Sequence, residues 1–572
     1  MARRWLFFAA GIFLIAAGSM LASRVQTSGG IRIEDVRFAG ANGTMSALLY
    51  IPPNATARTP APGVMAVHGL INSREMQDGF AIEFARRGYV VLALDMTGHG
   101  YSAPPMKLPA LGGPDGLKFL RSLPFVDKNN IGLEGHSLGG SAILSAALAY
   151  PKDYRALILI GSTTGAPAVG TPSFPRNAAF ILGAYDEFTP IMWGTKSFYD
   201  PVGKRQVFLA KDIGVSDKLR QTFGTRDPVQ PEKLYGAPDA GTARELYLPA
   251  VTHPGEHIST AAIGDAADWF QKGLKGGAPK SPDDQIWYWK EFGTGVAFIG
   301  FVILLLGTFD LLRWLPVFAA LNRPAAPSRE RRDRRWWAAF WLSVLIPGLS
   351  FLPAMIAAQL LLQPMPFLPQ VYTNQVLVWA LVTALLLWLL RLVLLREHKS
   401  SATPWLPSVL IASATVGVGY LSLLIVDAVF HVDYRFWVLG LKLMSPWQFK
   451  AFLIYLVPFA IYFLLTLSAL HSDLAVAGDS ALKHYATAIV AMAGGIALFL
   501  VAEYLPLLLN DHLLVPLDPL HPIIGIQFVP ILGLAGLIGT FTYRRTNSHV
   551  PGALICTLFV TWYVVAGTAT MF

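Results

Sequence analysis

The second half of the chain consists largely of apolar runs, and their length restricts the folds open to it. Eight such runs lie at 292–312, 336–362, 374–395, 405–426, 450–470, 485–509, 522–543 and 550–571. A helix of about 20 apolar residues spans the roughly 30 Å of hydrocarbon in a bilayer. We therefore expect residues 292–572 to form an all-α polytopic membrane domain of about eight transmembrane helices.

Another apolar run begins close to the N-terminus, between Arg4 and Arg24. A short basic stretch before such a run is typical of a cleaved signal peptide or of an uncleaved signal anchor. The small residues at 17–19 form a weak cleavage site, so the sequence favours an anchor or transmembrane helix within residues 1–24. Either alternative sends the following segment across the membrane.

The basic residues of the loops predict an orientation. Six arginines lie within 323–335, whereas the loops at 363–373 and 510–521 carry no arginine or lysine. Under the positive-inside rule, the arginine-rich loop lies in the cytoplasm. The segment that precedes the membrane helix before this loop is therefore extracytoplasmic. The loop at 427–449 is the exception, because it falls on the outer side and yet contains two cations.

The arginine cluster fits a cytoplasmic loop better than a nucleic-acid site. We therefore expect a multi-pass protein of the cell membrane, with membrane lipids and no nucleic acid among its partners. Ionisable residues at or near the spans are functional candidates, because they are costly in lipid. They are Arg391, Asp427, His431, Asp433, Glu503, Asp511 and His512. Glu503 is the strongest, with helix packing as the alternative role.

Residues 31–275 have a different pattern, in which apolar strand-like runs alternate with helical segments. This alternation predicts an α/β fold with a mostly parallel sheet that helices cover on both faces. In such sheets, functional residues collect where the strands end. The polar residues placed there are His68, Asp95, Ser137, Asp186 and His253.

The stretch "NIGLEGHSLGGSAIL" contains a G-x-S-x-G motif between a strand-like run and a helical run. A serine hydroxyl is a poor nucleophile that needs a base, an orienting acid and donors for the oxyanion. The flanking glycines Gly135 and Gly139 permit a sharp turn that exposes the serine oxygen. Ser137 is therefore the candidate nucleophile.

The acid and the base are expected after later strands. Asp186 follows the run that ends "AAFILGAYD" and is the candidate acid. Two histidines compete as the base in "LYLPAVTHPGEHIST": His253 directly follows the strand, and His257 is the alternative. A metal site of these histidines with Glu256 is disfavoured by its loose spacing, so no metal is expected.

The oxyanion requires two backbone N–H donors. One comes from the residue after the nucleophile, Leu138, and the other from the loop after an earlier strand. That loop is "HGLINS", which makes Leu70 the second donor and Ile71 the alternative.

These motifs together give a family resemblance. "HGLINS", "GYVVLALDMTGHGYS", "GHSLGG", "GAYDEFTP" and the His253 region occur in the chain order of the α/β-hydrolase superfamily. The domain at 31–275 resembles this superfamily, near the dienelactone-hydrolase and serine-peptidase-like esterases. The resemblance implies an α/β-hydrolase fold, a Ser-His-Asp triad and no cofactor. The distance from His253 to Phe270 matches the family and favours His253 over His257.

One segment departs from the family. Residues 187–244 are long for a connection between the acid and the last strand, and they are rich in aromatic residues. This insertion is expected to form a lid or a substrate wall, or to pack on the membrane domain. The substrate-binding residues therefore stay unassigned.

The predicted function is a membrane-embedded serine hydrolase that cleaves an ester, thioester or amide at the extracytoplasmic face, lipase-like or peptidase-like. Its substrate would be a small-molecule or lipid-like acyl compound. An acyltransferase would use the same three residues, with an alcohol or amine in place of water. A transporter or sensor with a binding-only domain is the third alternative, and it predicts that Ser137→Ala leaves function intact.

Overall fold

An eight-stranded sheet occupies the centre of the first half of the chain. The computed structural model describes residues 2–71, 73–165, 168–194, 210–323, 329–394, 404–510 and 512–572. The strands are β1 (Arg32–Gly40), β2 (Gly43–Ile51), β3 (Ala61–Val67), β4 (Val90–Asp95), β5 (Val126–His136), β6 (Ala156–Ile160), β7 (Ala178–Ile181) and β8 (Arg244–Tyr247). Their order across the sheet is β1-β2-β4-β3-β5-β6-β7-β8. Strands β3 to β8 are parallel, and β2 runs antiparallel to β1 and β4.

Helices cover both faces of this sheet, which we call the sheet domain (residues 31–275). In chain order, the helices from the N-terminus are α1 (Ala2–Gln26), α2 (Asp78–Arg86), α3 (Gly113–Ser122), α4 (Leu138–Ala149), α5 (Thr189–Met192), α6 (Asp217–Phe223) and α7 (Thr260–Gly273). Alternate residues of β4 enter two separate cores, Leu92 and Leu94 on the side of α3 and α4, Val91 and Ala93 on the side of α2 and α7. The predicted α/β class with a mostly parallel sheet is confirmed.

The described part of the insertion at 187–244 packs on the sheet domain. Trp193 is buried, its indole N–H donates to Ser162 O at 3.1 Å, and its ring lies 5.5 Å from that of Phe180. Phe223 of α6 reaches the same phenylalanine at 5.5 Å. Residues 195–209 of the insertion lie outside the described residues. The aromatic residues of the described part thus extend the core of the domain.

The second half of the chain is helical. Its helices are α8 (Trp287–Leu312), α9 (Arg334–Leu361), α10 (Val371–Leu394), α11 (Trp405–Phe430), α12 (Pro446–Asp473), α13 (Ala481–Asn510), α14 (Leu520–Thr546) and α15 (Val550–Gly567). A short hairpin of β9 (Tyr434–Phe436) and β10 (Leu439–Leu441) lies between α11 and α12. Within the described ranges, these eight helices and α1 are each long and apolar enough to cross a membrane. We call α8 to α15 the helical region (residues 287–572).

Helix α1 packs antiparallel against α8 through glycines on both helices. A Cβ at Gly11 would lie 2.6 Å from Leu304 N, and a Cβ at Gly18 would lie 2.4 Å from Gly293 O. A Cβ at Gly307 would lie 2.4 Å from Phe8 N. Small residues let two helix backbones approach in this way, which is how helices associate in lipid. The pair therefore depends on close backbone contact along its length.

Buried polar contacts join the sheet domain to the helical region. Asp78 of α2 accepts a hydrogen bond from the Tyr50 hydroxyl at 2.6 Å and pairs with Lys290 of α8. Near the C-terminus, the backbone N–H of Thr570 donates to Gly98 O at 2.8 Å. Because these groups are buried, separating the two parts would leave charges and amides without partners.

Candidate functional site

The candidate nucleophile lies at a strained turn. Ser137 connects β5 to α4 with φ 52° and ψ −118°, a conformation that costs free energy for a residue with a side chain. Two glycines make the turn possible, because a Cβ at Gly139 would lie 2.2 Å from Val67 O and a Cβ at Gly135 would lie 2.5 Å from Gly139 O. The N–H of Ser137 donates to Ile160 O at 2.8 Å and fixes the turn against β6.

The candidate acid follows β7. One oxygen of Asp186 accepts hydrogen bonds from the N–H groups of Phe188 at 2.7 Å and Thr189 at 3.2 Å. Its other oxygen lies 3.2 Å from Nδ1 of His253. The backbone bonds therefore hold the carboxylate in place while it faces the imidazole.

His253 lies after β8, at the first residue of a 3₁₀ turn over His253–Ile258. Burial alone would lower the pKa of this imidazole, but the Asp186 carboxylate beside Nδ1 raises it above its ordinary value. The ring of Phe188 packs on the imidazole at 4.8 Å. A bond from Nδ1 to a carboxylate leaves Nε2 as the proton acceptor, which is the tautomer a general base needs.

His257 lacks such a partner. Among the described residues, no carboxylate accepts a hydrogen bond from its ring nitrogens, and its ring packs 3.9 Å from that of His136. Burial, together with His253 and Arg435, lowers the pKa of His257 to about 3. Since no carboxylate orients this imidazole, the geometry favours His253 as the base.

Ser137 and His253 line one cavity of about 440 Å³. Leu138, Leu70 and Ile71, the expected sources of oxyanion donors, line it as well. In the described part of the chain, the Ser137 hydroxyl makes no hydrogen bond to an imidazole; such catalytic bonds often tighten only around a bound substrate. The cavity thus brings together Ser137, His253, Leu138 and Leu70, with the alternatives Ile71 and His257, while Asp186 contacts His253 without lining the cavity.

The loop after β3 lies directly against the serine. A Cβ at Gly69 would lie 3.1 Å from Ser137 Cβ and 2.9 Å from His136 Nδ1, so only glycine fits here. Leu138 is the first residue of α4, where a helix leaves its N–H groups without intrahelical partners. The choice between Leu70 and Ile71 as the second donor stays open.

Comparisons with known proteins agree with this architecture. A protein-family model described as serine aminopeptidase, S33, matches residues 58–236. The sheet domain of this chain has the α/β-hydrolase fold, and we call it the hydrolase domain from here on. A 2-hydroxy-6-oxononadienedioate/2-hydroxy-6-oxononatrienedioate hydrolase of Cupriavidus pinatubonensis is 30% identical over 100 residues, which cover 18% of this chain and 35% of that relative. The chain thus spans about a third of the length of the curated relatives it matches.

Solved structures resemble the same domain. An esterase from the archaeon Pyrobaculum calidifontis is 18% identical, with a TM-score of 0.31, over 47% of this chain and 90% of its own. A dienelactone hydrolase from Anabaena variabilis is 17% identical, with a TM-score of 0.28, over 43% of this chain and 99% of its own.

Sequence reasoning missed a pair of groups next to the candidate nucleophile. His136 Nε2 lies 3.0 Å from an oxygen of Glu256, whose other oxygen accepts from Gly183 N at 2.8 Å. Burial raises the pKa of Glu256 and lowers that of His136, so burial favours the neutral form of each group. The histidine inside the G-x-S-x-G motif was the available signal.

The residues that could together bind a metal ion differ between the sequence and the structure. The sequence pairs Glu256 with two loop histidines, whereas the structure places ligand atoms of His136, His253 and Glu256 within 4.8 Å of one another. One of these imidazoles already faces the Asp186 carboxylate. The expected absence of a metal stays a prediction.

A second carboxylate contacts the candidate base. Glu187 accepts a hydrogen bond from the N–H of His253 at 2.7 Å and another from the Tyr504 hydroxyl at 2.8 Å. Burial and the neighbouring Asp186 raise the pKa of Glu187 to about 7. Since Tyr504 belongs to α13, Glu187 links a helix of the helical region to the loop that carries His253.

The two cations in the exceptional loop at 427–449 are both buried near carboxylates. Arg435 is buried and pairs with Asp433 at 2.8 Å. Lys442 is buried near two carboxylates of the hydrolase domain, Glu75 and Asp95; burial lowers its pKa, and those carboxylates partly offset this effect. Neither cation is therefore a free loop charge that would set orientation.

Glu503 also has a structural partner. Its carboxylate accepts a hydrogen bond from Val515 N at 3.0 Å and so ties the end of α13 to the connection before α14. Asp511 lies outside the described residues. This contact supports the packing role for Glu503.

Proposed function

We propose that the protein is a membrane-embedded serine hydrolase that cleaves an ester, thioester or amide with Ser137, His253 and Asp186. The observation that carries the proposal is that a serine at a strained turn shares a cavity with an imidazole held by a carboxylate at 3.2 Å. A binding-only domain would have no need of this arrangement.

In the proposed reaction, His253 Nε2 takes the hydroxyl proton while Ser137 Oγ bonds to the substrate carbonyl carbon. The carbonyl electron pair moves onto oxygen, where the N–H groups of Leu138 and of Leu70 or Ile71 would stabilise it. Collapse of this intermediate breaks the bond to the leaving group, which receives the proton from the imidazole. Water then attacks the acyl-enzyme in the same sequence and regenerates the serine.

The charge distribution supports an extracytoplasmic hydrolase domain. Arg331, Arg334 and Arg335 are exposed at the end of the helical region that lies away from the hydrolase domain. At the hydrolase end, the cations of the 427–449 loop are buried in internal contacts. The positive-inside rule then favours a cytoplasmic arginine-rich end, and the packing of α1 on α8 favours a retained anchor.

A fluorophosphonate probe tests the nucleophile. Wild-type protein in membranes should be labelled, and Ser137→Ala should not. Ser141→Ala is the matched control, because Ser141 lines the same cavity one turn later and its hydroxyl donates to Pro109 O at 3.1 Å. Equal labelling of wild type and Ser137→Ala would overturn the proposal.

Labelling of introduced cysteines tests the orientation of the protein in the membrane. Cys556 is buried, so a new surface cysteine is the accessible thiol of each variant. In intact cells, a membrane-impermeant maleimide should label Asp239→Cys in the hydrolase domain and spare Arg331→Cys at the arginine-rich end. The reverse pattern would refute the orientation.

A further inference from the structure

One wall of the cavity comes from a membrane helix. Leu520, Ile523 and Gln527 of α14 line it, together with Val438 at the tip of the β9–β10 hairpin. The spacing of the three α14 residues, i, i+3 and i+7, places them on one face of the helix. The nucleophile of the hydrolase domain therefore faces a side of α14 across the cavity.

This wall is apolar. Leu520 and Ile523 carry no polar side-chain atom, and the Gln527 oxygen already accepts a hydrogen bond from the Tyr563 hydroxyl at 2.5 Å. On the hydrolase side, the cavity is lined by the polar Ser141, Ser162 and Thr163 and the histidines of the site, and by the apolar Leu70, Ile71, Met76, Leu108, Pro109, Leu138, Phe188 and Met192. The α14 side has no such group of polar residues. A sugar or a polar peptide side chain would lose hydrogen bonds to water here without replacing them. A hydrocarbon chain would gain from burial, by about 0.8 kcal/mol per methylene.

Exposed leucines lead from the surface of the helical region towards this wall. Leu508 and Leu509 are exposed at the end of α13, and Leu514 and Leu517 are exposed in the connection that precedes Leu520. In a membrane protein, such residues contact lipid. The sequence therefore runs from lipid-facing leucines directly into the wall of the cavity.

A small void lies beside the cavity, within the helices. It has a volume of about 20 Å³, shares Ile71 and Gln527 with the cavity, and is otherwise lined by α10, α14, α15 and Thr568. The helical region thus leaves a little unfilled space next to the α14 side of the cavity.

We propose that α14 forms the acyl-chain wall of the site, and that the substrate is an ester or thioester of a long acyl chain drawn from the surrounding bilayer. This inference rests on the proposed serine chemistry and adds the substrate class. The chain would lie along Leu520 and Ile523 while its carbonyl carbon reaches Ser137 Oγ.

Substitutions at Leu520 test the wall, because this residue is half-buried and lines the cavity from the helix end. Leu520→Trp fills space and should lower kcat/KM for a dodecanoyl p-nitrophenyl ester at least about 10-fold relative to the butanoyl ester. Leu520→Ala removes volume and should shift the same ratio towards the longer chain. The ratio is measured within one preparation, so the amount of folded enzyme cancels.

Leu534→Trp is the matched control, since Leu534 is half-buried on the same helix and lines none of these spaces. It should leave the ratio within about twofold of wild type. If Leu520→Trp fails to fold, the shift of the kcat/KM ratio towards the longer chain in Leu520→Ala tests the inference by itself. An unchanged ratio in the folded Leu520 variants would overturn the inference while leaving the hydrolase intact. Absence of hydrolysis and of Ser137 labelling in the wild type would overturn the proposed function itself.

A second arm identifies the source of the chain. The wild-type protein is reconstituted in liposomes, with the long-chain ester either in the same bilayer or in detergent micelles outside. Turnover at least about 10-fold faster for the ester in the same bilayer supports delivery from the membrane. Faster turnover of the micellar ester would assign a soluble acyl ester instead.

Discussion

Replacement of Asp186 by asparagine should separate the orienting acid from the rest of the site. The asparagine oxygen can keep the hydrogen bonds from Phe188 N and Thr189 N, so the loop should retain its conformation. The amide NH₂ then faces His253 Nδ1, where the carboxylate oxygen lies 3.2 Å away in the wild type. An NH₂ group donates a hydrogen bond and does not accept one. Nδ1 therefore becomes the acceptor, and the neutral imidazole carries its proton on Nε2.

With its proton on Nε2, the His253 imidazole cannot accept the proton of the Ser137 hydroxyl. In a Ser-His-Asp triad, this change lowers kcat about 10⁴-fold, which corresponds to about 5.4 kcal/mol in the barrier. The pH dependence should change in a separate way. The Asp186 carboxylate keeps the His253 pKa raised against burial, so its loss leaves burial to lower that pKa. The acidic limb of kcat/KM should therefore move to lower pH while the plateau falls.

The assay is ester hydrolysis from pH 4 to 9 (roughly the range in which histidine titrates), with thermal unfolding as a check of folding. Asp153→Asn is the control, because Asp153 pairs with Arg121 at 2.6 Å outside the cavity. It should keep the wild-type plateau and limb. A plateau in Asp186→Asn within about tenfold of wild type, or a limb shifted to higher pH, would refute the proposed role of the carboxylate.

Three further changes examine neighbouring contacts. His257→Gln should keep kcat within about tenfold of wild type, because no carboxylate orients this ring, and a loss as large as that of a triad member would make His257 the base. Gly139→Ala should lower the midpoint of thermal unfolding and the activity together, since its Cβ would lie 2.2 Å from a carbonyl oxygen of β3; overpacking of this kind costs about 1–3 kcal/mol. Tyr504→Phe removes a donor to Glu187 and should lower kcat about tenfold at nearly unchanged KM; an unchanged kcat would show that this contact does not position the base.

The sequence predicts the fold class well, because the strands are buried on both faces and therefore read as apolar runs between turns. Ser137, Asp186 and His253 could be proposed for the same reason, since each follows such a run and strand ends converge in a parallel sheet. These inferences use only the local pattern and the chain order.

Contacts between the two halves could not be predicted in this way. Tyr504 is 317 positions from Glu187, and nothing in the pattern of α13 indicates which loop its hydroxyl meets. The α14 side of the cavity has the same difficulty, because apolar residues on a membrane helix look alike whether they face lipid or substrate. Arg435 and Lys442 gave the one available signal: their positive charge conflicted with the orientation rule, and the structure places both in buried contacts.

The pairing of α1 with α8 has a practical consequence. The polypeptide enters the hydrolase domain from α1 and leaves it into α8. Because these two helices pack together, both ends of the hydrolase domain are attached at one place on the helical region. A fragment limited to residues 31–275 would lose both attachments, and it would also lose the α14 side of the cavity. The working unit for purification and crystallisation is therefore the intact chain in a lipid or detergent shell.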